Sequence, residues 1–141
     1  MKQILISILI SIVVCVAGCD EECEEGNYKP GDCNESKPIE GEVILKITID
    51  NMNAMVPVEF FIGDVEENIF YFADTIVTQS VSYTLPNNRY AVRAKYKAII
   101  NGKLVTVYSI DGGSLDANET DYCDGDCYEN GSLTLDAKLE L

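Results

Sequence analysis

Alternation of apolar and polar positions runs through most of the chain after residue 42 and predicts short β-strands. In the first such segment Val43, Leu45 and Ile47 fall on one face, while charged and hydroxyl side chains fall on the other. Comparable runs follow at residues 56–62, 69–77, 81–85, 90–97, 104–110 and 133–141. Pro57 and Glu59 in the second run predict a strand at a sheet edge. The third run is apolar on both faces, so its pattern does not fix which side chains point inward.

Turn residues separate these runs and predict how neighbouring strands connect. The Asn101-Gly102 pair between two strand patterns is a strong hairpin signal, because both central positions of a type I′ turn need positive φ. Gly112-Gly113 predicts the end of the returning strand. About seven short strands with turns between them are typical of an antiparallel Greek-key sandwich, and no segment shows a helical period.

One stretch also carries a family resemblance. Residues 85–94 read Leu-Pro-Asn-Asn-Arg-Tyr-Ala-Val-Arg-Ala and resemble the L-P-x-G-x-Y-x-V-x-A signature of prealbumin-like, carboxypeptidase-regulatory-like sandwich domains. Asn88 stands where that family usually has glycine, and asparagine also tolerates positive φ. The resemblance implies an all-β, seven-stranded antiparallel Ig-like or prealbumin-like β-sandwich. Such domains serve mostly as spacers, adhesive modules or accessory binding units, so no particular ligand is implied.

The N-terminus has the layout of a secretory signal. Lys2 precedes an apolar run over residues 4–16, and the small residues Ala17 and Gly18 follow it. A helix that spans a bilayer core of ~30 Å needs about 20 residues, so this run favours a signal peptide over a transmembrane helix.

The junction Val16-Ala17-Gly18-Cys19 resembles the lipobox of bacterial lipoproteins. By that resemblance the thiol of Cys19 is diacylated, residues 1–18 are removed, and Cys19 becomes the first residue of a mature protein anchored in a lipid bilayer. Each buried methylene adds about 0.8 kcal/mol of membrane affinity, and two acyl chains make a stable anchor. The alternative is an ordinary signal peptide that leaves Cys19 as a plain thiol.

Residues 19–41 form an acidic, proline-containing and glycine-containing segment without apolar periodicity, and they predict a flexible tether before a sandwich domain at 42–141. The acidic cluster 20–25 resembles the surface-export signal of Bacteroidetes lipoproteins. That resemblance implies an outer-membrane protein exposed at the surface of the cell envelope. A competing rule from enteric bacteria interprets Asp20, directly after the lipidated cysteine, as a signal for retention at the inner membrane.

Composition narrows the classes of function. The 141 residues carry 10 Lys and Arg against 24 Asp and Glu, a net charge of −14 that repels nucleic acid. The chain contains no histidine, which removes Ser-His and Cys-His nucleophile pairs and the common histidine-bound catalytic metals. We therefore predict a protein that is not an enzyme.

The cysteines left after Cys19 are even in number, as expected in an oxidising compartment. They are Cys23, Cys33, Cys123 and Cys127. Pairing Cys23 with Cys33 and Cys123 with Cys127 closes two short loops and is favoured. The rival pairing ties the tether to the segment before the last strand. A four-thiolate metal site is a weaker alternative, because the spacings lack paired Cys-x2-Cys knuckles.

An acidic loop surrounds the second cysteine pair over residues 116–129. We hypothesise that it binds calcium, since hard oxygen ligands clustered on a constrained loop suit that ion. The ligands would be Asp121, Asp124, Asp126 and Glu129. Their spacing does not match an EF-hand, and a solvated loop pinned by a disulfide is the favoured alternative; no other cofactor is predicted.

Two hypotheses for function remain. The favoured one is a non-catalytic accessory lipoprotein whose loops or sheet face bind a protein or a glycan, and exposed aromatic side chains clustered on one face would support it. The other is a structural spacer module of an envelope assembly, which a uniformly polar exterior would support.

Overall fold

The computed structural model describes residues 34–122 and 125–140, and these residues form an all-β structure. A single 3-10 turn, Val65–Glu67, lies between the second and third strands. The nine strands are β1 Glu40–Lys46, β2 Val56–Ile62, β3 Ile69–Ile76, β4 Ser80–Pro86, β5 Asn88–Ile100, β6 Lys103–Leu115, β7 Asn118–Tyr122, β8 Gly125–Glu129 and β9 Ser132–Asp136. The predicted all-β class is confirmed.

The strands form two sheets and a separate hairpin. The minor sheet has the order β4-β1-β9, and the major sheet has the order β3-β2-β5-β6. Strands β7 and β8 pair with each other and, within the described residues, with no other strand. All neighbours in the major sheet are antiparallel, whereas β1 runs parallel to β9 in the minor sheet.

The two sheets share one hydrophobic core. Val43 and Leu45 of β1 belong to the same core cluster as Val58 and Phe60 of β2, and all four side chains are fully buried. Burying one such side chain stabilises the fold by about 1.5–3 kcal/mol. The inward positions are the alternate residues that the sequence pattern predicts, which makes the architecture that of a β-sandwich.

The strand count and the position of β2 differ from prediction. Nine strands occupy the described residues instead of seven, because β7 and β8 fall in the acidic loop 116–129, where no apolar alternation marks a strand. β2 is an inner strand, not an edge. Pro57 is the second residue of β2 and pairs with Thr75 of β3, and it precedes the ladder from β2 to β5, which begins at Val58.

β5 and β6 form the longest hairpin of the domain. Asn101 and Gly102 have φ of 51° and 75°, which confirms the predicted turn at its tip. Gly112 pairs with Ala91 inside the ladder, so the glycine pair does not end β6. β2 pairs with β5 only as far as Ala94, and the remainder of the hairpin, residues 95–108, extends beyond β2. We call this part the arm.

The chain enters the domain at the opposite end from the arm. Asn87, just before β5, donates its backbone N–H to Ile39 O at 2.8 Å and its side-chain amide to Pro38 O at 2.7 Å. Further back, Asn34 forms an isolated antiparallel bridge with Tyr128 of β8. The last residues of the predicted tether are therefore fastened to the sandwich.

Candidate functional site

The two sheets differ in the side chains that they turn away from the core. The outer face of the minor sheet is mostly polar, with Glu42, Lys46, Ser82, Thr84, Thr134 and Asp136. The outer face of the major sheet instead exposes large apolar and aromatic side chains, with Phe70 58%, Tyr108 55%, Ile110 52%, Leu104 65% and Ile99 58% exposed. Exposed apolar surface of this extent marks interaction sites on soluble domains, so this face is the candidate site.

A register shift in β3 places one of these aromatic side chains. The pairing of β2 with β3 shifts by one residue between Phe60 and Phe61, so that Phe70 instead of Tyr71 lies opposite Phe61. The two phenyl rings meet edge to face with centroids 6.3 Å apart. Phe61 is buried although it lies outside the core cluster, so the outer face has a small apolar base of its own.

Arg93 sits on that base and is held by three neighbours. Its Nε and Nη2 donate to Glu59 Oε2 at 2.8 and 2.6 Å, directly across the β2–β5 ladder. The guanidinium carbon lies 5.2 Å from the centroid of the Phe61 ring and 5.7 Å from that of Tyr108. These distances allow cation–π attraction on both sides, so Arg93 is fixed in place and its charge is matched by Glu59.

Two adjoining grooves cross this face. The first, about 590 Å³, is lined by residues of β2, β3, β5 and β6, among them Thr75, Glu59 and Tyr108. The second, about 540 Å³, lies between the arm and the loop 51–55. Lys95 and Pro57 line both grooves, which makes them one depression centred on Lys95.

Two lysines of β5 are the available positive charges of this depression. Lys95 and Lys97 are both exposed and lie on the same face of the strand. Within residues 34–122 and 125–140, neither lysine forms an ion pair. Their ammonium groups are therefore free to contact a ligand, unlike the guanidinium of Arg93.

The carboxylates of the first groove are already engaged. Asp74 Oδ2 accepts a hydrogen bond from the Tyr83 hydroxyl at 2.8 Å, and Asp74 Oδ1 accepts one from the Thr75 N–H at 2.7 Å. Burial, reinforced by the Asp74 carboxylate, raises the pKa of Tyr83 above its usual range. With Glu59 held by Arg93, both carboxylates of the first groove already act as hydrogen-bond acceptors.

A buried asparagine fixes the second groove. Asn53 donates from Nδ2 to Lys97 O at 3.1 Å and accepts the Lys97 N–H on Oδ1 at 2.8 Å, where no strand continues the ladder. Asp50 caps the same loop by accepting the Asn53 N–H at 2.7 Å. Sequence analysis did not find Asn53, although the Asp-x-x-Asn spacing is a turn signal. This clamp holds the backbone from which Lys97 projects.

Most of the predicted modification sites lie outside the described residues, namely Cys19, Cys23, Cys33 and Cys123. Cys127 lies half-buried on β8 and is disulfide-bonded. It stands opposite Thr120, and the hairpin closes with the pair Tyr122 and Gly125. The next residue, Tyr128, donates its N–H to Asn34 O at 2.9 Å, so Cys127 lies beside the entering chain. The pairing of the cysteines stays a prediction.

The hypothetical calcium ligands are distributed along the β7–β8 hairpin. Asp121 and Asp126 occupy opposite positions of the ladder, and Glu129 lies opposite Asn118 at its far end. Asp124 falls outside the described residues. Across the described part of the chain, no group of three or more His, Cys, Asp or Glu side chains is arranged to hold a metal ion. Calcium binding stays a hypothesis.

Comparison of the chain with protein-family models, curated proteins and solved structures finds no match. The resemblances to lipoproteins and to prealbumin-like domains therefore stay predictions. In the two described ranges, no helix is long and apolar enough to cross a membrane.

Proposed function

We propose that this chain is a lipoprotein of the bacterial cell envelope, anchored through acylated Cys19, whose sandwich is a non-catalytic binding module. The outer face of the major sheet binds the ligand. The observation that carries this proposal is the contrast between the two sheets: one outer face is polar, and the other combines exposed aromatic side chains, free lysines and a continuous depression.

The form of the depression supports a binding role. It is open along the sheet, and its walls combine an aromatic ring, aliphatic side chains and a few polar groups, as ligand sites generally do. A spacer module needs no such surface, since its exterior serves only solubility. The alternative of a structural spacer is therefore the weaker one.

The proposed Ig-like or prealbumin-like type has local support. Tyr90 is buried and donates its hydroxyl to Pro86 O, four residues upstream, at 2.6 Å. Greek-key sandwiches use a hydrogen bond of this kind, the tyrosine corner, where the chain passes from one sheet to the other. The two residues lie in the stretch that resembles the prealbumin-like signature.

Photo-crosslinking from matched positions tests the binding face. A benzophenone amino acid is placed at Thr106, exposed on the major sheet, and in a second variant at Thr84, exposed on the minor sheet. We expect adducts of higher mass on living cells from position 106 and none from position 84. No adduct from either position, or equal yields from both, would contradict the proposal and favour the spacer.

Intact-mass analysis of membrane-extracted protein tests the anchor. We expect a mature mass that begins at Cys19 and includes acyl chains, and a Cys19→Ala variant that lacks them and leaves the membrane fraction. A retained N-terminal segment or an unacylated Cys19 would overturn the lipoprotein assignment.

A further inference from the structure

We infer that the depression on the major sheet binds a linear polysaccharide that carries carboxylate groups, with Lys95 and Lys97 contacting the carboxylates and Tyr108 stacking on a sugar ring. This inference rests on the proposed binding role and names its ligand class. Three features of the described residues carry it: the local charge, the aromatic ring and the open shape.

The charge is unusual for this protein. The chain has a net charge of −14, yet β5 presents Arg93, Lys95 and Lys97 at three successive outward positions. The lining residues of the two grooves include these three cations and two carboxylates, Glu59 and Asp74, so the depression keeps one net positive charge. At physiological salt the Debye length is about 8 Å, so acidic groups elsewhere on the domain are largely screened from a ligand that touches these ammonium groups. Electrostatic complementarity therefore selects an anionic ligand here.

The aromatic ring has the exposure and the support that stacking requires. Tyr108 lies opposite Lys95 in the β5–β6 ladder, and more than half of its surface is exposed. The Arg93 guanidinium lies over the ring, 5.7 Å from its centroid, and Tyr108 lines the first groove. An aromatic ring with an apolar face and a polar hydroxyl suits the mixed surface of a sugar.

The shape fits a chain, not a compact molecule. Lys95 and Lys97 lie about 7 Å apart along β5, at two residues of strand rise. The depression extends from Glu59 and Thr75 in the first groove to Lys97 and Thr106 in the second. A polymer with regularly spaced carboxylates can contact both ammonium groups and continue along the depression, whereas a small anion fills only part of it.

Retention on beads that carry polygalacturonate, compared with beads that carry its methyl ester, tests the ligand class. The two polymers share one sugar chain and differ in the free carboxylate. Detergent-solubilised mature protein is compared with a Lys95→Glu/Lys97→Glu double variant and with Lys46→Glu. Lys46 is the matched control, because it is an exposed lysine on the minor sheet. Melting temperatures verify that all variants fold.

We expect retention by polygalacturonate and not by the ester. Retention of the double variant by polygalacturonate should be lower by roughly tenfold or more, because two attractive charge pairs become repulsive. Lys46→Glu should behave as wild type. Retention should also fall at 1 M salt, where the Debye length is about 3 Å.

Equal retention on both polymers would overturn the anionic class and leave the binding role standing. An equal loss in Lys46→Glu would overturn the assignment of the groove. No retention on either polymer, together with crosslinks from position 106, would exclude the polysaccharide and indicate a protein partner on the same face.

Discussion

Removing the hydroxyl of Tyr96 should destabilise the sandwich far more than the loss of one atom suggests. Tyr96 lies on β5 at 1% exposure, and its hydroxyl joins two segments that no strand pairing connects to β5. It donates to Ala137 O at 2.7 Å and accepts the Thr48 N–H at 3.2 Å. Tyr96→Phe keeps the ring in the core and deletes both hydrogen bonds.

The size of the stability loss depends on the two backbone groups that Tyr96→Phe leaves without their partner. The Ala137 carbonyl loses a partner inside the fully buried end of the core, and a buried unsatisfied polar group costs about 1–3 kcal/mol. Thr48 is only half-buried, so water can replace part of its bond. We therefore expect a loss of about 2–3 kcal/mol in the free energy of unfolding. For a domain of about 100 residues this lowers the Tm by roughly 10 °C.

Urea unfolding followed by circular dichroism measures this loss. Tyr108→Phe is the matched control, because the same hydroxyl is removed from a ring on the exposed outer face, and its effect should stay within about 0.5 kcal/mol. A loss below about 0.5 kcal/mol for Tyr96→Phe would refute the reasoning, since it would mean that water reaches the Ala137 carbonyl freely.

The stability that the Tyr96 hydroxyl contributes should depend on pH. Burial raises the pKa of Tyr96 above the ordinary value of 10.0, so the folded protein keeps this proton longer than the unfolded chain does. The resulting stability is fully present below pH 10.0 and is lost as the pH rises through the folded pKa. The difference between wild type and Tyr96→Phe should therefore shrink above pH 10.0.

Three further predictions concern other parts of the fold. Gly131→Ala should lower the Tm strongly, because a Cβ there would overlap the Asp116 carbonyl oxygen, and overpacking costs about 1–3 kcal/mol or more. Asn53→Ala should cost about 1–3 kcal/mol in urea unfolding, because it strips the partners from two backbone groups of the arm. Cys127 is disulfide-bonded, and its neighbour Tyr128 donates its N–H to Asn34 O at 2.9 Å, which brings β8 beside the entering chain. We therefore expect trypsin digestion without reduction to link the Cys127 peptide to the peptide that contains Cys33, the rival of the pairing favoured from the sequence. Two separate peptides, each with an internal disulfide, would contradict this expectation.

The sequence predicts most of the sandwich where side chains alternate cleanly. The outward positions of Arg93, Lys95 and Lys97, and the turn at Asn101-Gly102, follow from period two and from turn chemistry alone. The β7–β8 hairpin cannot be predicted in this way, because residues 118–122 and 125–129 show no alternation of apolar and polar side chains.

Other features depend on contacts that a linear pattern does not contain. The parallel pairing of β1 with β9 joins segments at the two ends of the domain, and it brings Val43 beside Leu133. The register shift opposite Phe61 decides which aromatic residue of β3 faces outward, and nothing in the run 69–77, which is apolar on both faces, marks it. Alternation predicts that Lys95 and Lys97 share one face of β5. It does not predict the depression around them, which depends on the extension of the arm beyond β2 and on the hydrogen bonds between Asn53 and Lys97.

The position of the arm relative to the entering chain is compatible with both the proposed anchor and the proposed binding role. The chain enters beside Asn87, where β5 begins, and the hairpin turns at Asn101. At about 3.3 Å a residue, the 13 residues of β5 place the tip of the arm about 40 Å from that entry point. Lys97 lies nearer to the tip of the arm than to the entry point. With the proposed anchor at Cys19, which precedes the entering chain, attachment to the bilayer does not pass through the face that holds the depression.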